Sequence, residues 1–137
     1  MRKVFADTLF WVGMWNPKDE HNASAKRSWE RGRKSRLITT DTVLVEVLNA
    51  FSSFGSDWRN AVAESVEKLL NEPNVTVIRQ TPDLFNQALQ LYKSRLDKSY
   101  SLTDCISMVV MKKEQIEDVL SSDRHFEQEG FSLLMKL

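Results

Sequence analysis

Short apolar runs alternate along the chain with longer stretches in which apolar residues recur every three to four positions, the signature of strands interleaved with helices. Lys3 to Ala6 predicts a buried strand, followed by a short helix around Thr8 to Met14 and a charged helix from about Glu20 to Lys34. Arg36 to Thr39 predicts a second strand, and Asp41 to Ser53 an apolar helix. Ser56-Asp57 then offers a cap for an amphipathic helix with Ala61, Val62, Val66, Leu69 and Leu70 on its buried side, and Pro73-Asn74 stops it. Val75 to Ile78 predicts a third strand, Thr81-Pro82-Asp83 has the cap-then-proline form of a helix start, and Leu84 to Arg95 keeps the helical period. Leu102 to Lys113 predicts another helix, Ile116 to Ser121 a strand, Arg124 to Glu129 a helical turn ended by Gly130, and Phe131 to Leu137 a last strand. Strands separated by helices pair in parallel through right-handed crossovers, so the expected fold class is α/β, a three-layer arrangement over a single domain of residues 1–137.

Composition narrows the function classes more than the fold. With 42% apolar and 28% charged residues in 137, the chain is an ordinary globular sequence and is neither disordered, collagen-like nor coiled coil. Nineteen Lys and Arg balance nineteen Asp and Glu, so any grip on nucleic acid must come from a local patch. The one cysteine, Cys105, excludes an internal disulfide, and two histidines beside it are too few for a Cys/His zinc centre. A reduced, cytoplasmic protein is expected. Met1 to Trp15 imitates an export signal, but Asp7 interrupts the apolar run and Asn16 to Asn22 is a long polar stretch before Ala23-Ser24-Ala25, so no signal is read here. No apolar segment reaches the ~20 residues a bilayer crossing needs.

In an open parallel sheet, ligands bind beyond the carboxyl ends of the strands, where the strand order reverses. Asp7 immediately follows the first strand, and Asp123 follows Val119-Leu120-Ser121-Ser122. Crossover helices run antiparallel to strands, so Asp104, in the first turn of the helix opening at Ser101-Leu102-Thr103-Asp104, belongs to the same edge. Glu46, one turn into the helix after the second strand, is the fourth acid. Asp7, Asp104 and Asp123 each also suit a helix cap. Glu46 does not: flanked by Val43, Leu44, Val45, Val47 and Leu48, it reads as a carboxylate on a helix buried nearly all round, which needs a polar partner. Thr42, Glu46, Asn49 and Ser53 fall on one stripe of that helix and point to a polar cavity.

Four converging carboxylates repel one another unless a cation joins them. All-oxygen ligands suit Mg²⁺ or Mn²⁺, one or two ions, and do not suit zinc or copper. A hard dication at such an edge is chiefly useful for phosphoryl chemistry, so hydrolysis of a phosphodiester is the leading expectation.

These residues resemble the PIN-domain family, and within it the VapC-like toxin ribonucleases of type II toxin–antitoxin pairs. The resemblance rests on Val4-Phe5-Ala6-Asp7-Thr8, on Thr42 four residues before Glu46, on Asp97 through Cys105, and on Ser122-Asp123-Arg124-His125-Phe126 with Gly130-Phe131, spread over essentially the whole chain. One departure is Leu9, where many members carry asparagine. The resemblance implies a central, mainly parallel five-stranded sheet and an Mg²⁺- or Mn²⁺-dependent endoribonuclease neutralised by a cognate antitoxin. It places Asp7, Glu46, Asp104 and Asp123 at the family's metal and catalytic positions, and Ser122 at the hydroxyl position beside the last acid. Thr8 and Asn49 are further supporting candidates, and Asp97 reads as a loop or supporting residue. Glu46 is expected to orient or deprotonate the attacking water, or to help bind a second ion. The competing expectation is a degenerate PIN-like module that binds RNA or protein without cleaving.

Lesser signals bear on partners. Lys26, Arg27, Arg31, Arg33, Lys34 and Arg36 form a basic stretch opposed only by Glu30, which suits either RNA phosphates or a solvated helix face. Trp15 or Trp29 is a candidate for the lining of an antitoxin groove or a homodimer contact. His125 reads as a surface residue able to touch RNA. A dehalogenase-type phosphatase would need an aspartate at Leu9, a receiver domain paired acids after the first strand, and a ribonuclease-H-like fold antiparallel hairpins; none of these fits.

Overall fold

The computed structural model describes residues 2–135, apart from the side chain of Arg33. The elements are β1 (Lys3–Ala6), α1 (Thr8–Trp15), α2 (Asn22–Arg31) with a 3-10 turn over Gly32–Lys34, β2 (Arg36–Thr40), α3 (Asp41–Ala50), α4 (Ser56–Leu69), β3 (Val75–Ile78), α5 (Pro82–Ser94), α6 (Leu102–Lys113), β4 (Asp118–Leu120), α7 (Arg124–Gln128) and β5 (Ser132–Leu133). The strands form one five-stranded sheet in the order β3-β2-β1-β4-β5, every neighbouring pair parallel. β1 is central: Phe5 pairs with Ile38 of β2 on one side and Val119 of β4 on the other. Its Val4-Phe5-Ala6 run is buried, as a strand covered on both faces requires.

The expected element order stands, and local chemistry explains where boundaries moved. The charged helix begins at Asn22 rather than Glu20 because Asp19 Oδ1 accepts the His21 amide at 2.9 Å, a side-chain turn that competes with helix. Thr40 and Thr81 cap α3 and α5 by accepting from the Val43 and Leu84 amides at 3.0 and 3.1 Å. α7 ends where the amides of Gly130 and Phe131 bond back to Glu127 and Phe126 at 3.1 and 2.9 Å, with Gly130 at φ +95°, a left-handed stop that glycine supplies without a Cβ clash. The last strand is only Ser132–Leu133; Lys136 and Leu137, which the pattern included in it, lie outside the described residues.

One core, led by Phe5, Phe10, Trp11, Phe51, Met108, Met111 and Phe126, fills the space between sheet and helices. Helix α6 is its axis: every residue from Asp104 to Met111 is buried, which is why this helix lacks a polar stripe. Among the described residues no helix is long and apolar enough to cross a membrane.

Candidate active site

The strand order reverses between β1 and β4, since β2 follows β1 on one side and β4 returns on the other. Asp7 sits at that reversal, its amide donating to Leu120 O at 3.3 Å. It occupies the cap position of α1, yet its side chain makes no capping bond there. The carboxylate instead accepts from the Ser121 hydroxyl at 3.0 Å, a contact between residues 114 positions apart. Burial, leaving Asp7 only 4% exposed, pushes its carboxyl up to about 7; the Thr8 amide and Ser121 oppose this, and repulsion from Asp104 and Asp123 adds to it.

Asp104 and Asp123 do cap their helices, and they serve the site with the same side chains. Asp104 and Ser101 form a reciprocal capping box, each accepting from the other's amide at 3.0 Å. Asp123 Oδ1 accepts the His125 amide at 2.9 Å. None of the hydrogen bonds described uses Asp104 Oδ1 or Asp123 Oδ2, so each acid is aimed by one oxygen and keeps the other available. Burial raises the Asp104 carboxyl, with His125 and the Ser101 amide opposing and Asp123 reinforcing.

His125 is the participant that sequence reasoning undervalued. Its Nδ1 lies 2.8 Å from Asp104 Oδ2 and 3.5 Å from Asp123 Oδ1, and its ring packs against Tyr100 with centroids 5.4 Å apart. One ligand atom from each of Asp104, Asp123 and His125 falls within 4.8 Å of the others. The signal was available in its position two residues after an acid and one before the buried Phe126, which directs the turn inward.

Two expectations need correction. Glu46 is not in a buried environment: it lies on the exposed side of α3 with Val45, which is 56% exposed, and accepts from the Thr8 hydroxyl at 2.6 Å. Only Val43, Leu44 and Val47 of that helix face the core, so apolar neighbours in sequence did not imply apolar neighbours in space. Thr8, adjacent to Asp7, thus ties Glu46 to the rim of the site. Ser122 is expected to hydrogen-bond a carboxylate or a phosphate; the bond to a site carboxylate belongs instead to Ser121, fully buried just after β4, while Ser122 Oγ lies 2.7 Å from His21 Nε2. Asn49 is exposed, and its side chain makes no hydrogen bond to the acids among the described residues. Asp97 lies in the exposed loop before α6 and pairs with Lys98 at 3.3 Å.

Among the described residues no Lys or Arg forms an ion pair with Asp7, Asp104 or Asp123; the basic side chain beside Asp104 and Asp123 is His125, its Nδ1 at 2.8 and 3.5 Å. Negative charge at this edge is therefore concentrated and under-compensated, and its donors are mainly carboxylate oxygens. That donor set fits a hard divalent cation.

Arg31 of the basic stretch lies elsewhere. Arg31 and Arg2 line a cavity of about 180 Å³ with Ser28 and Ser35, at the start of β1 and β2, the opposite edge of the sheet from the acids. Trp15 and Trp29 join Trp11 and Phe10 in an aromatic cluster, and the three tryptophans line a cleft between α1, α2 and α4 with Met14 and Lys68.

Known proteins resemble this chain in sequence and fold. The PIN domain family profile matches residues 4–131. The 23S rRNA-specific endonuclease VapC20 of Mycobacterium tuberculosis is 30% identical over 128 residues, covering 93% of this chain and 95% of that protein. The VapC ribonuclease of Aquifex aeolicus is 30% identical over 103 residues, covering 74% of this chain and 70% of the relative. In solved structures, VapC20, described as a sarcin-ricin loop cleaving toxin, superposes with a TM-score of 0.84 at 26% identity over 93% of this chain and 95% of that one. FitAcB of Neisseria gonorrhoeae shares the fold, with a TM-score of 0.70 at 13% identity over 95% of each chain.

Proposed function

The chain belongs to the PIN-domain family, and from that premise we propose that it is a metal-dependent endoribonuclease, the toxin of a toxin–antitoxin pair, acting in the cytoplasm as a single domain over residues 1–137. Its partners on this reading are an RNA substrate and a cognate antitoxin, with a second copy of the chain as a further partner to be tested. The observation that carries the proposal is the cluster of Asp104 and Asp123 with His125 at the strand-order reversal, with Asp7 close enough to repel both acids and, among the described residues, no Lys or Arg paired with any of the three.

Asp7, Asp104 and Asp123 are the residues that would hold one or two Mg²⁺ or Mn²⁺ ions, directly or through water. Such an ion, when bound, supplies Lewis-acid polarisation of the phosphate and a lowered pKa for coordinated water. Ser121 keeps the Asp7 carboxylate in register with β4. The capping bonds of Asp104 and Asp123 fix their orientation before any ligand arrives, so little side-chain entropy remains to be lost on binding. Glu46, held by Thr8 at the exposed rim, orients or deprotonates the attacking water.

The test is cleavage of a panel of RNAs that includes 23S rRNA, the substrate named for the VapC20 relative, in Mg²⁺, in Mn²⁺ and in chelator. Asp104→Asn serves as the control for contaminating nuclease. Cleavage in metal that disappears with chelator and with Asp104→Asn is expected. Tight Mn²⁺ binding with no RNA cut under any condition would overturn the enzymatic reading in favour of a binding module.

A further inference from the structure

The loop between α1 and α2 reaches over the end of β4 through residues 101 positions apart: His21 Nε2 lies 2.7 Å from Ser122 Oγ. His21 is only 8% exposed, although it belongs to a polar stretch. Asp19 shapes this turn, its Oδ1 accepting the His21 amide at 2.9 Å and lying 3.3 Å from the ring Nδ1; Glu20 Oε1 is 3.8 Å from the same nitrogen. Carboxylates on the Nδ1 side favour the tautomer with its proton there, in which Nε2 accepts from the Ser122 hydroxyl.

The close seat of His21 depends on Gly13. A Cβ at that position would come within 3.3 Å of the His21 Cβ, the His21 carbonyl and the Ala25 Cβ. Asn22 then locks the two helices together, its Nδ2 donating to Gly13 O at 2.8 Å.

Ser122 stands between the two residues that matter most in its loop. Ser121 holds Asp7 and also accepts the Asp123 amide at 3.0 Å, while Asp123 faces His125 and Asp104. The loop is therefore pinned from β1 through Ser121 and from the α1–α2 turn through Ser122. We propose that His21 is a positioning residue of the acidic centre: acting through Ser122, it fixes the segment that carries Ser121 and Asp123, so that metal affinity depends on a side chain that bonds to none of the three acids. This rests on the metal-binding reading of the site given above. Groups that orient a metal's ligands typically contribute 10- to 100-fold in affinity or activity.

The experiment measures Mn²⁺ binding to the RNA-free protein by calorimetry, and kcat and KM for RNA cleavage, in wild type, His21→Ala, Ser122→Ala, the double variant and His21→Gln. Mn²⁺ affinity and kcat are expected to fall by about tenfold in each single alanine variant, with KM unchanged. The double variant should be no worse than either single one, because both remove the same contact. His21→Gln, which restores an acceptor near Ser122, should recover most of the loss. Wild-type Mn²⁺ affinity in folded His21→Ala, or losses that multiply in the double variant, would overturn the proposal. Should His21→Ala fail to fold, Ser122→Ala, which deletes a single oxygen, decides alone: unchanged Mn²⁺ affinity there overturns it. Absence of RNA cleavage by the wild type defeats the enzymatic reading and leaves the Mn²⁺ comparison to judge His21.

Discussion

A cluster of acids and a single glutamate lie on either side of Tyr100 and His125 in this molecule and have opposite electrostatic characters. At the end of β1 and β4, Asp104 and Asp123 share His125, Asp7 adds a third carboxylate, and among the described residues no Lys or Arg pairs with any of the three; burial pushes Asp7 up to about 7. Tyr100, whose ring packs against His125, also reaches Glu129, which is supplied from three sides. It takes Arg95 in a two-pronged pair at 2.9 Å through both oxygens, Lys112 at 3.2 Å and the Tyr100 hydroxyl at 3.0 Å. The Arg95 hydrogen bonds outweigh burial and hold Glu129 down at about 2, while burial and the same carboxylate push Tyr100 up to about 12. The contrast separates a structural ion network from a centre whose acids, among the described residues, have no Lys or Arg partner. It also exposes the stability penalty of the functional cluster: the fold confines carboxylates there that would be better solvated in the unfolded chain.

The strongest way to break the comparison is Asp7→Asn. Cleavage should drop by more than about a hundredfold, beyond the loss typical of a residue that merely supports a metal ligand. The metal-free protein should nevertheless become more stable at pH 8, by up to roughly 4 kcal/mol at 1.36 kcal/mol per pKa unit. The direction follows from proton linkage. Between the ordinary carboxyl value of 3.8 and about 7, folded Asp7 retains a proton that the unfolded chain has lost, so metal-free stability falls as pH rises through that window. Urea melts of wild type at pH 5 and pH 8 should show the loss, excess Mn²⁺ should reverse it, and Asp7→Asn should flatten it. A wild type equally stable at both pH values without metal would mean that Asp7 is not held in the environment described.

Glu129→Gln sharpens the other half. Its ionised form stabilises the fold fully above the ordinary value of 4.5, and that contribution fades as pH falls toward about 2. Because Arg95 and Lys112 are 35% and 53% exposed, solvent screening reduces the effect, and the substitution should cost about 2 kcal/mol at pH 7. Chemical denaturation at pH 7 and pH 3 checks it, the difference between variant and wild type being smaller at the lower pH. Metal affinity should stay close to that of the wild type, since Glu129 neutralises cations and not the acids of the site.

The smallest effect is expected from Arg31→Gln combined with Lys34→Gln. These charges flank the amino edge of the sheet, where Arg31 lines a cavity with Arg2, and not the edge that carries the acids. Cleavage of a short RNA in low salt should change by no more than about twofold, a loss under 1 kcal/mol of the kind exposed charges contribute. A tenfold rise in KM would show that RNA wraps both edges.

Much of the architecture was legible in the chain. Periodicity set the order of strands and helices, Thr81-Pro82 and Ser101 through Asp104 announced helix starts, and the acids after the first and fourth strands marked the edge where chemistry belongs. Those signals are local, and physics within a few residues decides them: a hydroxyl beside an unbonded amide, a side chain at every third or fourth position on one face. Other choices belonged to tertiary structure alone. Ser121 rather than Ser122 meets Asp7, because the direction of a side chain at a strand end depends on how that strand seats in the sheet. Glu46 lies exposed on a helix of largely apolar sequence because only one side of α3 finds the core. His21, His125 and Glu129 acquire their partners from segments 17 to 101 positions distant. The sequence alone thus determined which residues could carry charge at the sheet's edge; only the packed chain decided which of them face one another, because burial and partner geometry are properties of segments brought together in space.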